Sequence, residues 1–465
     1  MLNLTKHKPG LSTRQSPHTK PRPDTRLLLC CCLTLLLLGA CSSYGVIHNQ
    51  PSSELNSGQP YSLKTWAQSE MTEDFIFILA FSGGGTRAAT MAYGVLEELR
   101  DTPVVINNRQ TRLLDQVTHI SSVSGGSFTS AYYGLYGDQI FDRFEDEFLR
   151  KDVEGHLARS LFNPAHWFTR KGRTERAVEY YNKILFHDAT FADMMQVGRP
   201  MIIINASDLA YGVRFSFIQD YFDLLCSDVR DFPVASAVAA SSAVPVVFNP
   251  VVVENYPGCA DPVWSPQVGD IAKSSYEIAQ MLDGLKSYSD KENREFIHFV
   301  DGGITDNTGL RAITNVVDIS GGPAQLLSRM QRRLPRHVVV LSVNASTENR
   351  TDMDKSPKQP SMMASMNAMT DVQLHRYNAA TIDEMKTGLD SWAEQMSRPG
   401  HEVKPYFIEV SFKEVAQPQL KLSLNKIPTS FSLTEEQVNT LVKSARELLR
   451  EDPDFQQLLE DIASF

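Results

Sequence analysis

The chain has 465 residues, of which 42% are hydrophobic and 22% charged, with 45 Lys and Arg against 55 Asp and Glu. That apolar share supports a sizeable core and excludes a disordered or low-complexity chain, while a net charge of −10 without a basic run excludes a nucleic-acid surface. Six cysteines are too few for a disulfide-dense scaffold, so the length points to a few domains or one large domain with insertions.

Lys20, Arg22 and Arg26 precede an apolar run, Leu27 to Leu38, which leads into Leu38-Gly39-Ala40-Cys41. A basic segment, a short apolar stretch and small residues at a cut site read as a secretory signal over residues 1–40. The run is too short to span a bilayer, which takes about 20 apolar residues. Leu-Gly-Ala-Cys resembles the bacterial lipobox, in which the cysteine thiol is alkylated by a diacylglyceryl group and becomes the new N-terminus. The competing reading is an uncleaved membrane anchor. Losing the basic leader leaves a more acidic body, so attachment falls to acyl chains on Cys41 rather than to charge. Ser42 in place of Asp implies the outer membrane, facing the periplasm. Residues 41–70, with Pro51 to Pro60 rich in Ser, Asn and Gly, read as a tether. Cys226 and Cys259 then remain in an oxidising compartment, where a disulfide between them is favoured over two free buried thiols.

The first strong element is Asp74 to Ser82, a continuous apolar run that suits a strand covered on both faces. It ends in Gly83-Gly84-Gly85-Thr86-Arg87, and a helical pattern follows over Ala88 to Arg100. A second strand, Val117 to Ser122, runs into Val123-Ser124-Gly125-Gly126 and another helix. Further strands are expected at Pro200–Asn205, Phe215–Gln219, Phe296–Val300, His337–Val343 and Tyr406–Phe412. This alternation predicts an α/β fold with a mostly parallel sheet. Residues 261–295 and 346–400 are polar and weakly patterned. The second carries Met353, Met362, Met363, Met366, Met369, Met385 and Met396, which read either as packing or as a mobile cover over a lipid site. A closing helix is expected over Glu435 to Glu451, with Thr434 and Gln437 at capping-box spacing.

Three of these junctions carry chemistry. Ser124, among small residues between strand and helix, has the form of a nucleophile elbow, where glycine relieves the strained turn and the Gly125 N–H lies at a helix N-terminus. Ser122 occupies the position where that pattern usually has glycine. Gly83, Gly84 and Gly85 free a loop to aim several N–H groups at an anion, which suits an acyl-transfer oxyanion. A nucleotide loop is the poorer reading, because neither a Gly-Lys-Ser/Thr ending nor a spaced Gly-x-Gly-x-x-Gly is present. Arg87 is a candidate either to hold this loop or to reach a substrate phosphate. Asp301, after an apolar strand and before Gly302-Gly303, is placed to take a serine proton as general base, although an isolated Asp-Gly is more often a turn. All three sit at strand ends, where open α/β sheets place their sites.

With these motifs the chain resembles the patatin-like phospholipases, which share a fold with cytosolic phospholipases of the A type. The resemblance covers about residues 74–315. It implies Ser124 as nucleophile, Asp301 as base without a histidine, and Gly83, Gly84 and Gly85 as the oxyanion loop with Arg87 its basic flank. Ala239 to Phe248 resembles a further block beside the active site, and Ala88 stands where many members have glycine. The implied fold is a three-layer α/β domain over residues 71–345 with a mostly parallel central sheet, completed by a C-terminal α/β extension, residues 346–465. The implied activity is hydrolysis of lipid carboxylic esters, of phospholipase A or lysophospholipase type, with membrane lipids as substrate and no cofactor or metal. Two other readings stay open: a non-catalytic lipid-binding envelope lipoprotein, and a conventional Ser-His-Asp esterase. For the latter, His119 and His298 on strands read as scaffold, leaving His375 or His401 as the distant candidate.

Overall fold

The structure is a computed structural model that describes residues 45–52, 61–67, 74–106, 108–161, 171–198, 200–245, 247–260, 269–271, 273, 275–348 and 355–464. The expected signal peptide over residues 1–40 and its Cys41 lie outside the described residues.

Strand β1 (Phe75–Phe81) shows why the protein has three layers. Phe77, Leu79 and Phe81 point into one core, and Ile76, Ile78 and Ala80 into another on the opposite face. A strand buried on both faces needs apolar residues at every position, which the sequence supplies. The other strands of the main sheet are β2 (His119–Val123), β3 (Met201–Asp208), β4 (Arg214–Ser216), β5 (Val251–Glu254), β6 (Phe296–Val300), β7 (His337–Asn344) and β8 (Lys404–Ser411). They lie in the order β8-β7-β1-β2-β3-β6-β5, with β4 paired to β3. From β8 to β3 all neighbours are parallel, whereas β6 is antiparallel to β3 and β5 antiparallel to β6. The sheet is mixed but mostly parallel.

Helices α1 (Gly85–Asp101), α2 (Gly125–Tyr136), α3 (Val234–Ser241), α4 (Arg311–Ile319), α5 (Met362–Met396), α6 (Glu435–Glu451) and α7 (Pro453–Ala463) supply most of the covering layers. On one face α6 packs along α1, with Val438, Leu441, Ala445 and Leu449 buried in the same core as Val95, Leu96 and Leu99. Glu98 of α1 is buried there and accepts hydrogen bonds from Arg446 and Arg450 of α6, so its charge is neutralised by two guanidinium groups. On the other face Ile313 and Val317 of α4 and Ile382, Met385, Leu389 and Trp392 of α5 cover Ile76, Ile78, Val338 and Val340.

The C-terminal segment is built into the sheet. β8 pairs with β7 from His337–Lys404 to Asn344–Ser411, and α7 packs on β8. Residues 346–400, read as weakly patterned, contain the 35-residue α5. Its second half repeats apolar residues on the side facing the sheet and its first half carries Met362, Met369 and Val372 on the opposite side, which is why the pattern averages out over the whole segment. Of its methionines, Met385 and Met396 are core residues, while Met362 and Met369 are exposed; Met353 lies outside the described residues. The expected strand at Phe215–Gln219 is shorter, because the chain turns at Ile218 into a helix beginning at Gln219.

The described parts of residues 41–70 are not a tether. Asn49 is buried and donates to the Glu254 carbonyl (2.8 Å), Gln50 pairs with Asp228, and Tyr61 is buried with its hydroxyl on the Ile202 carbonyl (2.8 Å). Gly45, the first described residue, lies so close to Val252 that a Cβ would come within 2.5 Å of its Cγ2. Cys226 and Cys259 form a disulfide with a Cα–Cα distance of 5.4 Å. Closing that loop restricts the unfolded chain and contributes roughly 3 kcal/mol.

Candidate active site

Ser124 is the single residue between β2 and α2, with φ 50 and ψ −118. Positive φ is costly for a residue with a Cβ and persists only where the surroundings dictate it. Here the surroundings are backbone. A Cβ on Gly125 would lie 2.0 Å from the Gly85 carbonyl oxygen, and one on Gly126 would lie 2.8 Å from that of Ser82. The elbow and the glycine loop thus touch main chain to main chain, which no larger residue allows. Ser122, at the position of the usual glycine, is fully buried, accepts from the Ser130 hydroxyl (2.6 Å) and so fits without an orphaned oxygen.

Asp301 reaches the serine from an unexpected direction. Expected at the C-terminal end of a third parallel strand, it follows β6, which runs antiparallel to β3. The two strands overlap only at Phe299–Asp208 and Val300–Ser207. β6 therefore descends from beyond the end of β3 and delivers Gly302 level with Asn205, the partner of Val123, so that Asp301 comes level with Ser124. Gly302 is required at this approach, since its Cβ would meet the Asn205 carbonyl oxygen at 2.4 Å.

The result is a direct contact: Ser124 Oγ donates to Asp301 Oδ2 at 2.8 Å, and the Gly303 N–H donates to Oδ1 at 2.8 Å. Both residues are buried, 5% and 8% exposed. Burial raises the Asp301 carboxyl to about 6, against the opposing pull of the Gly303 and Ser124 hydrogen bonds. A base in this range accepts a proton near neutral pH more readily than a solvated aspartate does. The sign of the pH dependence follows: below about pH 6 Asp301 is protonated and cannot take the serine proton. We expect kcat/KM for a soluble ester to be half its plateau near that pH and to fall roughly tenfold per unit below it. A flat profile down to pH 5 contradicts Asp301 as base.

Ser241 and its neighbours hold the pair together. Its hydroxyl accepts the Ser124 N–H (2.8 Å) and donates to the Asn205 carbonyl (2.6 Å). Its carbonyl accepts the Gly302 N–H (3.0 Å), and that of Ala243 accepts the Asp301 N–H (3.0 Å). One short stretch at the end of α3 therefore fixes both the nucleophile and the base. The sequence marks the Ala239–Phe248 block as adjacent but gives no sign of which serine does this.

In the glycine loop, Gly84 and Gly85 have φ 140 and 63, values that favour glycine. The Gly83 N–H is committed to the Asn307 carbonyl (2.9 Å) and that of Thr86 to the Ser430 carbonyl (2.9 Å). The N–H groups left without a protein acceptor among the described residues are those of Gly84, Gly85 and Gly125. Gly83 accordingly anchors the loop, and the other three are the available anion donors. Arg87 has two candidate roles, holding the loop or reaching a substrate phosphate. It is buried, and its guanidinium donates to the carbonyls of Ala345 (2.9 Å) and Ile427 (2.6 Å) and to Thr429 Oγ1 (3.0 Å). Of its two candidate roles the structure places it in the first, clamping the loop to β7 and to the strap of residues 427–430.

No histidine hydrogen-bonds to Ser124 or Asp301 among the described residues. His119 is half-buried at the far end of β2, its pKa lowered to about 4 by desolvation and by Arg332. His401 contacts the Pro335 carbonyl (3.0 Å) just before β7 begins, and His375 lies on α5. Among the described residues no cluster of His, Cys, Asp or Glu is placed to hold a metal, and no helix is long and apolar enough to cross a membrane.

The sequence matches the family model for patatin-like phospholipase over residues 79–313. No curated protein matches it. Among solved structures, human GIVD cytosolic phospholipase A2 is 13% identical with a TM-score of 0.42, covering 86% of this chain and 64% of that one. VipD from Legionella pneumophila is 13% identical with a TM-score of 0.32, covering 90% and 71%. The chain thus spans a little under two thirds of the human phospholipase chain.

Proposed function

This chain belongs to the patatin-like phospholipase family, and we propose that it hydrolyses the carboxylic esters of membrane lipids through an acyl-enzyme on Ser124. Asp301 takes the Ser124 proton as Oγ attacks the ester carbonyl, and the oxyanion of the tetrahedral intermediate is met by the N–H groups of Gly84, Gly85 and Gly125. Collapse breaks the ester C–O bond, and the proton on Asp301 passes to the departing alcohol, a lysolipid or a glycerol-based head. Water then attacks the acyl-enzyme with Asp301 again as base, releasing the fatty acid and restoring the Ser124 hydroxyl. Phospholipase A or lysophospholipase chemistry is the substrate reading.

The observation that carries this is the 2.8 Å hydrogen bond from Ser124 Oγ to Asp301 Oδ2. With the other carboxylate oxygen held by Gly303, no imidazole stands between them, which favours the dyad over a Ser-His-Asp esterase. Lipid binding without turnover requires neither a strained serine nor a buried carboxyl with raised pKa aimed at it. Mass spectrometry of total bacterial lipid incubated with the protein tests the reading. Free fatty acid and lysolipid should accumulate with wild type and not with Ser124→Ala; identical profiles contradict it.

The same proposal places the protein in the bacterial cell envelope, held by acyl chains on Cys41 at the periplasmic face of the outer membrane. Cys41→Ser should shift the protein from membrane to soluble fraction or stall its processing. Unchanged fractionation together with unchanged mass argues against the anchor.

A further inference from the structure

Helix α5 has two unlike halves. From Asn378 onward it buries Ile382, Met385, Leu389 and Trp392 against the sheet, but from 362 to 377 every described residue is exposed or half-buried. Ala368, Asp371, Leu374 and His375 form the half-buried side, at helical spacing and therefore facing the body. The outward side carries Met362, Met369 and Val372, which are 81%, 62% and 55% exposed. Positions seven and ten apart lie within one quadrant of a helix, so these three make one stripe.

This half stands beside the site. Asn378 donates to Ser346 Oγ (3.0 Å), just past the end of β7, and the Arg311 guanidinium lies 4.2 Å from the Tyr377 ring. Asp371 is near enough to Arg87 to oppose the lowering of its pKa by burial. Two further exposed apolar residues flank the dyad itself: Ile304, in the turn after Asp301, and Val244, next to the carbonyl that holds the Asp301 N–H. Charge adds to this. Residues 355–377 carry Lys355, Lys358 and Arg376 against Asp371 alone, in a chain of net charge −10.

We infer that the first half of α5 is an interfacial arm, which lays the Met362–Met369–Val372 stripe on an anionic lipid surface with Ile304 and Val244 at its edge. An apolar stripe flanked by cations is the composition of a helix that lies in a bilayer interface. Unbranched methionines adapt to a fluid surface without a shaped groove. The arm brings the surface of Ile304 and Val244, which flank the dyad, against the lipid, so an ester passes from there to the nucleophile without crossing water. The substrate side of this inference rests on the lipid-hydrolase reading; the docking side does not.

The test uses the full chain with Ser124→Ala, so that no turnover disturbs the lipid, and with Cys30, Cys31, Cys32 and Cys41 replaced by Ser. Met369→Cys, or Lys443→Cys on the exposed side of α6 as control, carries a polarity-sensitive fluorophore. On vesicles of phosphatidylethanolamine and phosphatidylglycerol the probe at 369 should shift to the blue and be quenched by a lipid-borne spin label, while the control stays unchanged. A probe at 369 that ignores the vesicles overturns the inference. So does a shift that appears without lipid as protein concentration rises, which marks a second copy as the occupant. In the active chain, Met369→Asp with Val372→Asp should slow hydrolysis of vesicle lipid about tenfold and leave a monomeric short-chain ester within about twofold. Equal loss on both substrates also overturns it. Failure of the hydrolase reading shows separately, as wild type without turnover of the monomeric ester.

Discussion

Ser124→Ala is expected to lower ester hydrolysis by at least ~10⁴-fold, and Asp301→Asn by a similar factor, about 5.5 kcal/mol of barrier. The two should be nearly equal because they act on one proton. Without Oγ there is no acyl-enzyme, and without the carboxylate the hydroxyl keeps its proton. Asparagine has almost the shape of aspartate and can still accept the Ser124 hydrogen bond, so the loss isolates basicity from packing. It also relieves the buried carboxyl whose pKa is raised to about 6, so the variant should be no less stable than wild type. Activity against a soluble ester, with circular dichroism and thermal melts to show folding, measures both. Retention of activity within tenfold by either folded variant contradicts the assignment.

Gly125→Ala is expected to cost about 10²–10³-fold in kcat, the usual scale for loss of an oxyanion donor. A single methyl has this effect because of where it lands. The added Cβ would stand 2.0 Å from the Gly85 oxygen and 2.8 Å from the Gly85 nitrogen, and neither neighbour is a side chain that can swing away. The elbow and the glycine loop must separate, which moves the Gly125 N–H away from those of Gly84 and Gly85. Gly137→Ala, at the far end of α2, is the matching control. It too has positive φ, 54, but a Cβ there meets nothing within 4 Å. It should cost about 1 kcal/mol of stability with kcat unchanged. Steady-state kinetics on both variants distinguish the cases, and equal kinetics contradict a role for the loop contact.

The parts of the fold legible in the sequence are those set by short-range pattern. Buried parallel strands such as β1 and β7 show as unbroken apolar runs, and α6 shows as one apolar face behind the Thr434 cap. Ser124, Asp301 and the glycine loop were legible because tight backbone approaches demand glycine next to reacting groups. What escaped was set by distant contacts. The direction of β6 depends on the connection that precedes it, and its own residues are equally apolar either way. Whether Arg87 holds the loop or reaches a substrate phosphate is open in the sequence, because its partners lie 258 and 340 residues further along the chain. The carbonyl of Ser430 that holds Thr86 sits in a stretch with no pattern to mark it, and the Ala239–Phe248 block does not show that Ser241 is the serine that holds Ser124. The packing of residues 45–52 was hidden for the opposite reason: their polar, proline-containing composition is that of a linker, yet buried Asn49 and the pairing of Gln50 with Asp228 fasten them to the body.

The central claim is that Asp301 activates Ser124 directly. A serine-directed fluorophosphonate tests it without any assumption about the lipid, because the reagent needs only an activated hydroxyl and an oxyanion site. Peptide mass spectrometry of the wild-type protein should find the adduct on Ser124 alone. The labelling rate should rise with pH through about 6, where Asp301 loses its proton, and should fall at least ~10³-fold in Asp301→Asn. An adduct on another residue, or labelling of Ser124 at an undiminished rate in Asp301→Asn, contradicts the account.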